Sequence, residues 1–256
     1  MDYLYACLTE NTPQPGSIYY YAYRHCSEDA ARILYALDQL KYQWLKASEL
    51  YSEPYPSLQK LQWWQQALVN LKEHRDHPLL AILYPCFEFD RLHECLTHDL
   101  DYALQTIANG RNYQGSLDLL SDSFLGIATL KASALQCNEI KHIKTLNHID
   151  ELLRHMLMIG KHFSRNIRLD STLTPQVTKE NFHQVMEKLM QHTQILKAQL
   201  NLTSAQIKQI KPLIALHKQQ ILCVKKFIQK VGNPFTESIH ISPFSLLFAS
   251  VFASKL

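Results

Sequence analysis

His155-Met-Leu-Met-Ile-Gly-Lys161-His162-Phe-Ser-Arg-Asn166-Ile-Arg-Leu169 lies near the middle of a chain of 256 residues, within a span from Cys86 to Thr174 that holds no proline. Glycine occurs only 6 times in the whole chain. Breakers are therefore scarce around this stretch, while Leu, Ala, Gln, Glu and Lys are frequent, a composition that favours long helices. His148, His155 and His162 recur every seven residues and so share one face of such a helix. Lys161, His162 and Arg165 add cations towards its C-terminal end.

Outward from this stretch the pattern stays helical. Ser27-Glu-Asp-Ala30 reads as an N-cap with acidic first-turn residues, and Ile33, Leu34, Leu37, Leu40 and Trp44 follow at helical spacing. Glu53-Pro-Tyr-Pro-Ser57 is expected to break that helix. Leu58 to Lys72 resumes as an amphipathic helix with Trp63 and Trp64, of which at most one faces the core, since adjacent helical residues point about 100° apart. Asp76-His-Pro78 starts a short helix with Pro78 in its first turn. From Phe89 to Arg165 about three long helices are expected, broken near Asn109-Gly110 and Cys137-Asn138. Leu169 to Glu180 is a loop; Asn181 to Leu200 and Ser204 to Val231 are helices, the second bent at Pro212 and stopped by Gly232-Asn-Pro234. No strand pattern of useful length and no internal repeat is present. The fold class read from this is all-α, in a single domain spanning residues 1–256.

Several function classes drop out. The net charge of +3 is too small and too scattered for nucleic-acid binding as the main role. No apolar run reaches the ~18 residues of a membrane span. Met1 to Ser17 has neither the basic start nor the apolar core of a signal peptide, so a soluble cytoplasmic protein, or one peripheral to a membrane, is expected. Cys7, Cys26, Cys86, Cys95, Cys137 and Cys223 show no zinc spacing and are read as buried small hydrophobes in a reduced compartment. Nucleophile elbows, P-loops, dinucleotide fingerprints and metalloprotease signatures are missing. The histidine stripe is read first as hydrogen-bonded or solvated, with an anion-facing role as the alternative; a shared metal is not expected of residues two turns apart. Asp118-Leu-Leu-Ser-Asp122 is read as a solvated helix face, His74 and His77 as surface residues, and Tyr19, Tyr20, Tyr21 and Tyr23 as packing the N-terminal segment onto the core.

The opening stretch resembles, as far as Asn166, the Gln-Leu-Thr-Asn-Ile-Leu-Arg-Asp-x-x-x-Asp signature of the squalene and phytoene synthase family. Other segments resemble the family in order: Ser17-Ile-Tyr-Tyr-Tyr21, Arg32-Ile-Leu-Tyr-Ala-Leu37 and Leu45-Lys-Ala-Ser-Glu49; Leu61-Gln-Trp-Trp-Gln-Gln-Ala-Leu68 and His77-Pro-Leu-Leu80; Leu92-His-Glu-Cys-Leu-Thr-His-Asp-Leu100; Val231-Gly-Asn-Pro-Phe235 and Ile241-Ser242. The resemblance implies an isoprenoid synthase-like bundle around a largely apolar central cavity. It also implies an active site where paired aspartates hold Mg²⁺ against a diphosphate leaving group.

The departures fall on that chemistry. Leu45 and Glu49 stand at the first pair of aspartate positions and His162 and Asn166 at the second, while Gln65 and Tyr42 replace arginines. Glu49, Glu94 and Asp99 are the acids left at matching positions, enough for one Mg²⁺ in a divergent prenyl transferase that joins two prenyl diphosphates head to head. The favoured expectation is a catalytically degenerate member, a binding or respiratory-complex assembly module, in a family that also includes a mitochondrial complex I assembly factor. In that reading no cofactor is needed. Ser17, Lys46, Lys161, His162 and Arg165 then remain as candidates to bind an isoprenoid diphosphate or anionic lipid head group without metal.

Overall fold

In the computed structural model, which describes residues 13–51, 53–137, 139–237 and 242–251, the chain is all-α. Cys7, Asn138, Ile241 and most of the Met1–Ser17 segment lie outside the described residues. The helices are α1 (Ile18–Tyr23), α2 (Glu28–Leu45), α3 (Pro54–Val69), α4 (Pro78–Leu83), α5 (Phe89–Asn109), α6 (Leu125–Ala134), α7 (Ile140–His162), α8 (Lys179–Ala198), α9 (Ser204–Gln209), α10 (Lys211–Lys230) and α11 (Pro243–Val251). Ser27 caps α2 by accepting from the Ala30 N–H, as its sequence promised. α2 then runs into a π-helical turn, Lys46–Leu50.

Two expectations change. Glu53-Pro-Tyr-Pro-Ser57 does not stay outside a helix but opens α3, because Pro54 in the first turn gives up an N–H that would have had no partner there. The chain also has two strands of two residues each, β1 (Arg111–Asn112) and β2 (Ile167–Arg168), paired in parallel and too short to leave an alternating pattern. Gly110 makes that pairing fit: its φ is 64°, and a Cβ would stand 2.8 Å from the Asn166 carbonyl oxygen. Of the adjacent tryptophans, Trp64 is 2% exposed and Trp63 47%. Ile210 divides α9 from α10, and Pro212 sits in the first turn of α10, where the bend was expected.

One cluster of buried side chains runs from Ile18 to Leu246. Tyr19 and Tyr23 are buried in it, with Tyr19 edge-on to Tyr35. Among the described cysteines only Cys137 and Cys223 are buried; Cys26 and Cys95 are half-buried and Cys86 is exposed, so the reading of all six as core hydrophobes fails where helix faces turn them outward. Among the described residues no helix is long and apolar enough to cross a membrane.

α7 is the centre of the molecule, packed by α6, α8, α10 and the 3₁₀ turn Leu117–Asp122. A helix enclosed on every side is normally apolar on every side. α7 buries Ile149, Leu152, Leu153 and Met156, but also Asn147, His148, Glu151, Arg154, His155 and His162. An unpaired charge in such surroundings costs several kcal/mol, so the neighbouring helices must answer each one.

Candidate functional site

Those answers form one polar chain along α2, α6 and α7. Asp38 on α2 accepts from the Tyr23 hydroxyl and from Lys131 on α6. One turn on, Lys41 places Nζ 2.9 Å from Asp150 Oδ2 and 2.5 Å from Glu151 Oε1. Asp150 also accepts from Gln220 at 2.6 Å. Glu151 Oε2 accepts from Ser123 Oγ at 2.9 Å and from Arg154 Nε and Nη2 at 3.2 and 2.6 Å. Arg154 then spans to the π turn, Nη2 donating to Glu49 Oε1 at 3.2 Å and Nη1 to Glu49 Oε2. His162 Nε2 stands 2.9 Å from the same Oε2, off the line of a straight hydrogen bond. Glu49 thus has a guanidinium on one side and an imidazole on the other.

The electrostatics follow from burial opposed by partners. Burial alone would raise the Glu49 carboxyl, but Arg154 and His162 outweigh it and hold it well below the usual range. Asp150 is likewise held down against burial by Lys41, and Lys41 is held up against burial by Asp150 and Glu151. Asp38 goes the other way, burial exceeding the pull of Lys131. His155, buried beside Arg154 and His162, is driven well below the usual imidazole value, and burial takes His217 down to about 4. His155 donates Nδ1–H to the Glu151 carbonyl oxygen at 2.9 Å, and its ring lies 5.1 Å edge-on from Tyr113 and 4.7 Å from His162.

The family-like positions are distributed as follows. Leu45 packs in the core, 1% exposed. α7 ends at His162, a 3₁₀ turn carries the chain to Arg165, and Asn166 sits at φ 54°, a left-handed position asparagine tolerates. His162 is buried and Asn166 exposed, so these two do not share a helix face as an Asp-x-x-x-Asp pair would. The acids Glu49, Glu94 and Asp99 are not brought together. Glu94 is exposed, and the Asp99 carboxylate accepts the Gly126 and Ile127 N–H groups at 2.9 and 2.6 Å, closing the start of α6. Ser17 caps α1 through the Tyr20 N–H at 3.1 Å. Lys46 lies over the Tyr42 and Tyr51 rings, and Arg165 turns inward to the Ala47 carbonyl and Ser57 hydroxyl oxygens at 3.2 and 3.3 Å. Lys161 is half-buried in the last turn of α7.

Two groups of three ligand-type side chains approach within 4.8 Å among the described residues: Glu49, His155 and His162, and Asp118, His148 and His192. The first departs from the expectation that histidines two turns apart stay apart, because long rings on a rise of ~10 Å lean towards each other. Arg154 disfavours a cation there, since its guanidinium already holds Glu49. Beside α7, the gaps lined by Lys41, Asp150 and His217 and by Tyr19, Asp38 and Arg154 have volumes of about 40 and 20 Å³. Pockets that hold organic ligands run to roughly 300–1,000 Å³. Sequence reading missed Asp38, Lys41, Lys131, Asp150, Glu151 and Arg154; the available signal was that these charges interrupt apolar stripes of α2, α6 and α7. No protein-family model, curated protein or solved structure matches the chain.

Proposed function

We propose that this chain is a catalytically degenerate squalene/phytoene synthase-like protein that works by binding, as a module in the assembly of a larger complex, and not by turnover. The observation that carries this reading is the fate of Glu49. It is the surviving acid of the first motif, and it is neutralised from within by Arg154, with His162 beside it. A carboxylate engaged by a guanidinium has little negative charge left for Mg²⁺, which is bound through carboxylates and substrate phosphates. Asp99 is committed to the start of α6, and Glu94 lies outside the core. The gaps lined by Lys41, Asp150 and His217 and by Tyr19, Asp38 and Arg154 support the same reading, since a prenyl chain needs far more room than either.

Calorimetric titration with farnesyl diphosphate, with Mg²⁺ and then with EDTA, tests it. The expected result is no Mg²⁺-dependent binding. Saturable binding that requires Mg²⁺ would restore the prenyl transferase reading, with Glu49 released from Arg154.

A further inference from the structure

We propose that Asp118, His148 and His192 form a binding site for a first-row divalent transition-metal ion of the Zn²⁺ type, separate from the Glu49 network and independent of the function proposed above. The three residues come from different elements: Asp118 from the 3₁₀ turn Leu117–Asp122, His148 from α7 and His192 from α8. One ligand atom from each lies within 4.8 Å of the others. Two imidazoles and a carboxylate suit such an ion and are a poor set for Mg²⁺, which prefers oxygen ligands throughout.

Two observations point to an ion. The His148 ring is 3% exposed, and its Nε2 is shielded from water without a hydrogen-bond partner. His192 Nε2 is also buried and unpartnered, with its ring centroid 5.4 Å from that of His148.

The carboxylate is selected by helix type. A 3₁₀ helix turns about 120° per residue, so Asp118 and Asp122 point different ways although they are four apart. Asp122 pairs with Lys144 at 2.7 Å. That contact also quenches the cation one turn before His148 and leaves Asp118 for the histidines. Asp118 and His148 line a cleft of about 390 Å³ with Leu196 and Gln199, so an ion held by three protein ligands keeps a coordination position towards solvent.

The test uses the full chain after EDTA treatment and dialysis, titrated with Zn²⁺ against a chromophoric chelator and with Co²⁺ by visible absorption. The expected result is one tight equivalent with Co²⁺ ligand-field bands, weakened at least about tenfold in Asp118→Asn and His192→Ala and unchanged in His74→Ala, which alters an exposed histidine elsewhere. His192 is half-buried and Asp118 exposed, so these variants are expected to fold even where His148→Ala does not. Failure to bind Zn²⁺, or equal affinity in the Asp118→Asn, His192→Ala double variant, overturns the proposal. The second outcome includes an ion held instead by Glu49, His155 and His162.

Discussion

Replacing Arg154 by Leu removes the one cation that touches both Glu49 and Glu151 among the described residues. Lys41 and Ser123 still serve Glu151, and Glu49 is left with His162 alone. Breaking a buried pair by deleting one partner costs ~3–5 kcal/mol, because the other charge stays in the core without compensation. At ~2–4 °C per kcal/mol for a chain near this size, melting should fall by roughly 10 °C. The introduced leucine side chain would fill most of the vacated volume, so the loss is electrostatic more than steric. Adding Glu49→Leu should recover part of it, with a coupling of ~0.5–3 kcal/mol in the double-mutant cycle. The difference between wild type and Arg154→Leu should also shrink from pH 8 to pH 5. Arg154 is the largest influence opposing burial at Glu49, so its loss is expected to raise that carboxyl, and a carboxyl raised on folding gains stability as pH falls. Urea melts of the four proteins at both pH values supply the data. A single-variant loss under ~1 kcal/mol with additive behaviour, as for an exposed pair, would refute the claim that this network is desolvated.

Trp64→Ala should cost ~3–5 kcal/mol and Trp63→Ala much less, given 2% and 47% exposure; equal losses in urea melts would contradict the packing of α3. His217 has a folded pKa of about 4 against ~6.5 unfolded, so between those values the unfolded chain alone takes up the proton, and stability should drop with falling pH by up to ~3 kcal/mol. A His217→Gln variant should therefore show a flatter stability curve from pH 6.5 to 4, and parallel curves would remove that assignment. Gly126→Ala and Gly160→Ala put a Cβ 2.0 Å from the Cys95 carbonyl oxygen and 2.2 Å from that of Pro234. Each should destabilise by at least ~1–3 kcal/mol, and unchanged urea midpoints would mean that these close approaches are wrong.

Much of the architecture was legible because it rests on local rules. The Ser27 cap, the lack of proline between Cys86 and Thr174, the Gly110 stop and Pro212 in a first turn each act over a few residues, and each left its mark in the sequence. The Trp63/Trp64 contrast followed from helical angle alone. The short β1–β2 pairing was not legible, since two residues cannot show a period. At the site, Glu49 was visible as an acid but its neutralisation was not, because Arg154 comes from 105 residues away. The His155–His162 approach escaped for a related reason: helical spacing fixes where Cβ atoms start, while ring length decides where nitrogens end. Asp118 drew notice as half of an Asp-x-x-x-Asp pair, but only the 3₁₀ geometry turned it from Asp122 and towards His148.

The proposed lack of prenyl transfer rests on Glu49 being held by Arg154 and Asp99 by the start of α6, with Glu94 exposed. Its most direct test is incubation of the purified chain with farnesyl and geranylgeranyl diphosphate and Mg²⁺, following pyrophosphate release and extracting C30 and C40 products. The account predicts release no faster than in protein-free controls and no condensed product. Mg²⁺-dependent pyrophosphate release with a C30 or C40 hydrocarbon, abolished by Glu49→Gln, would contradict it.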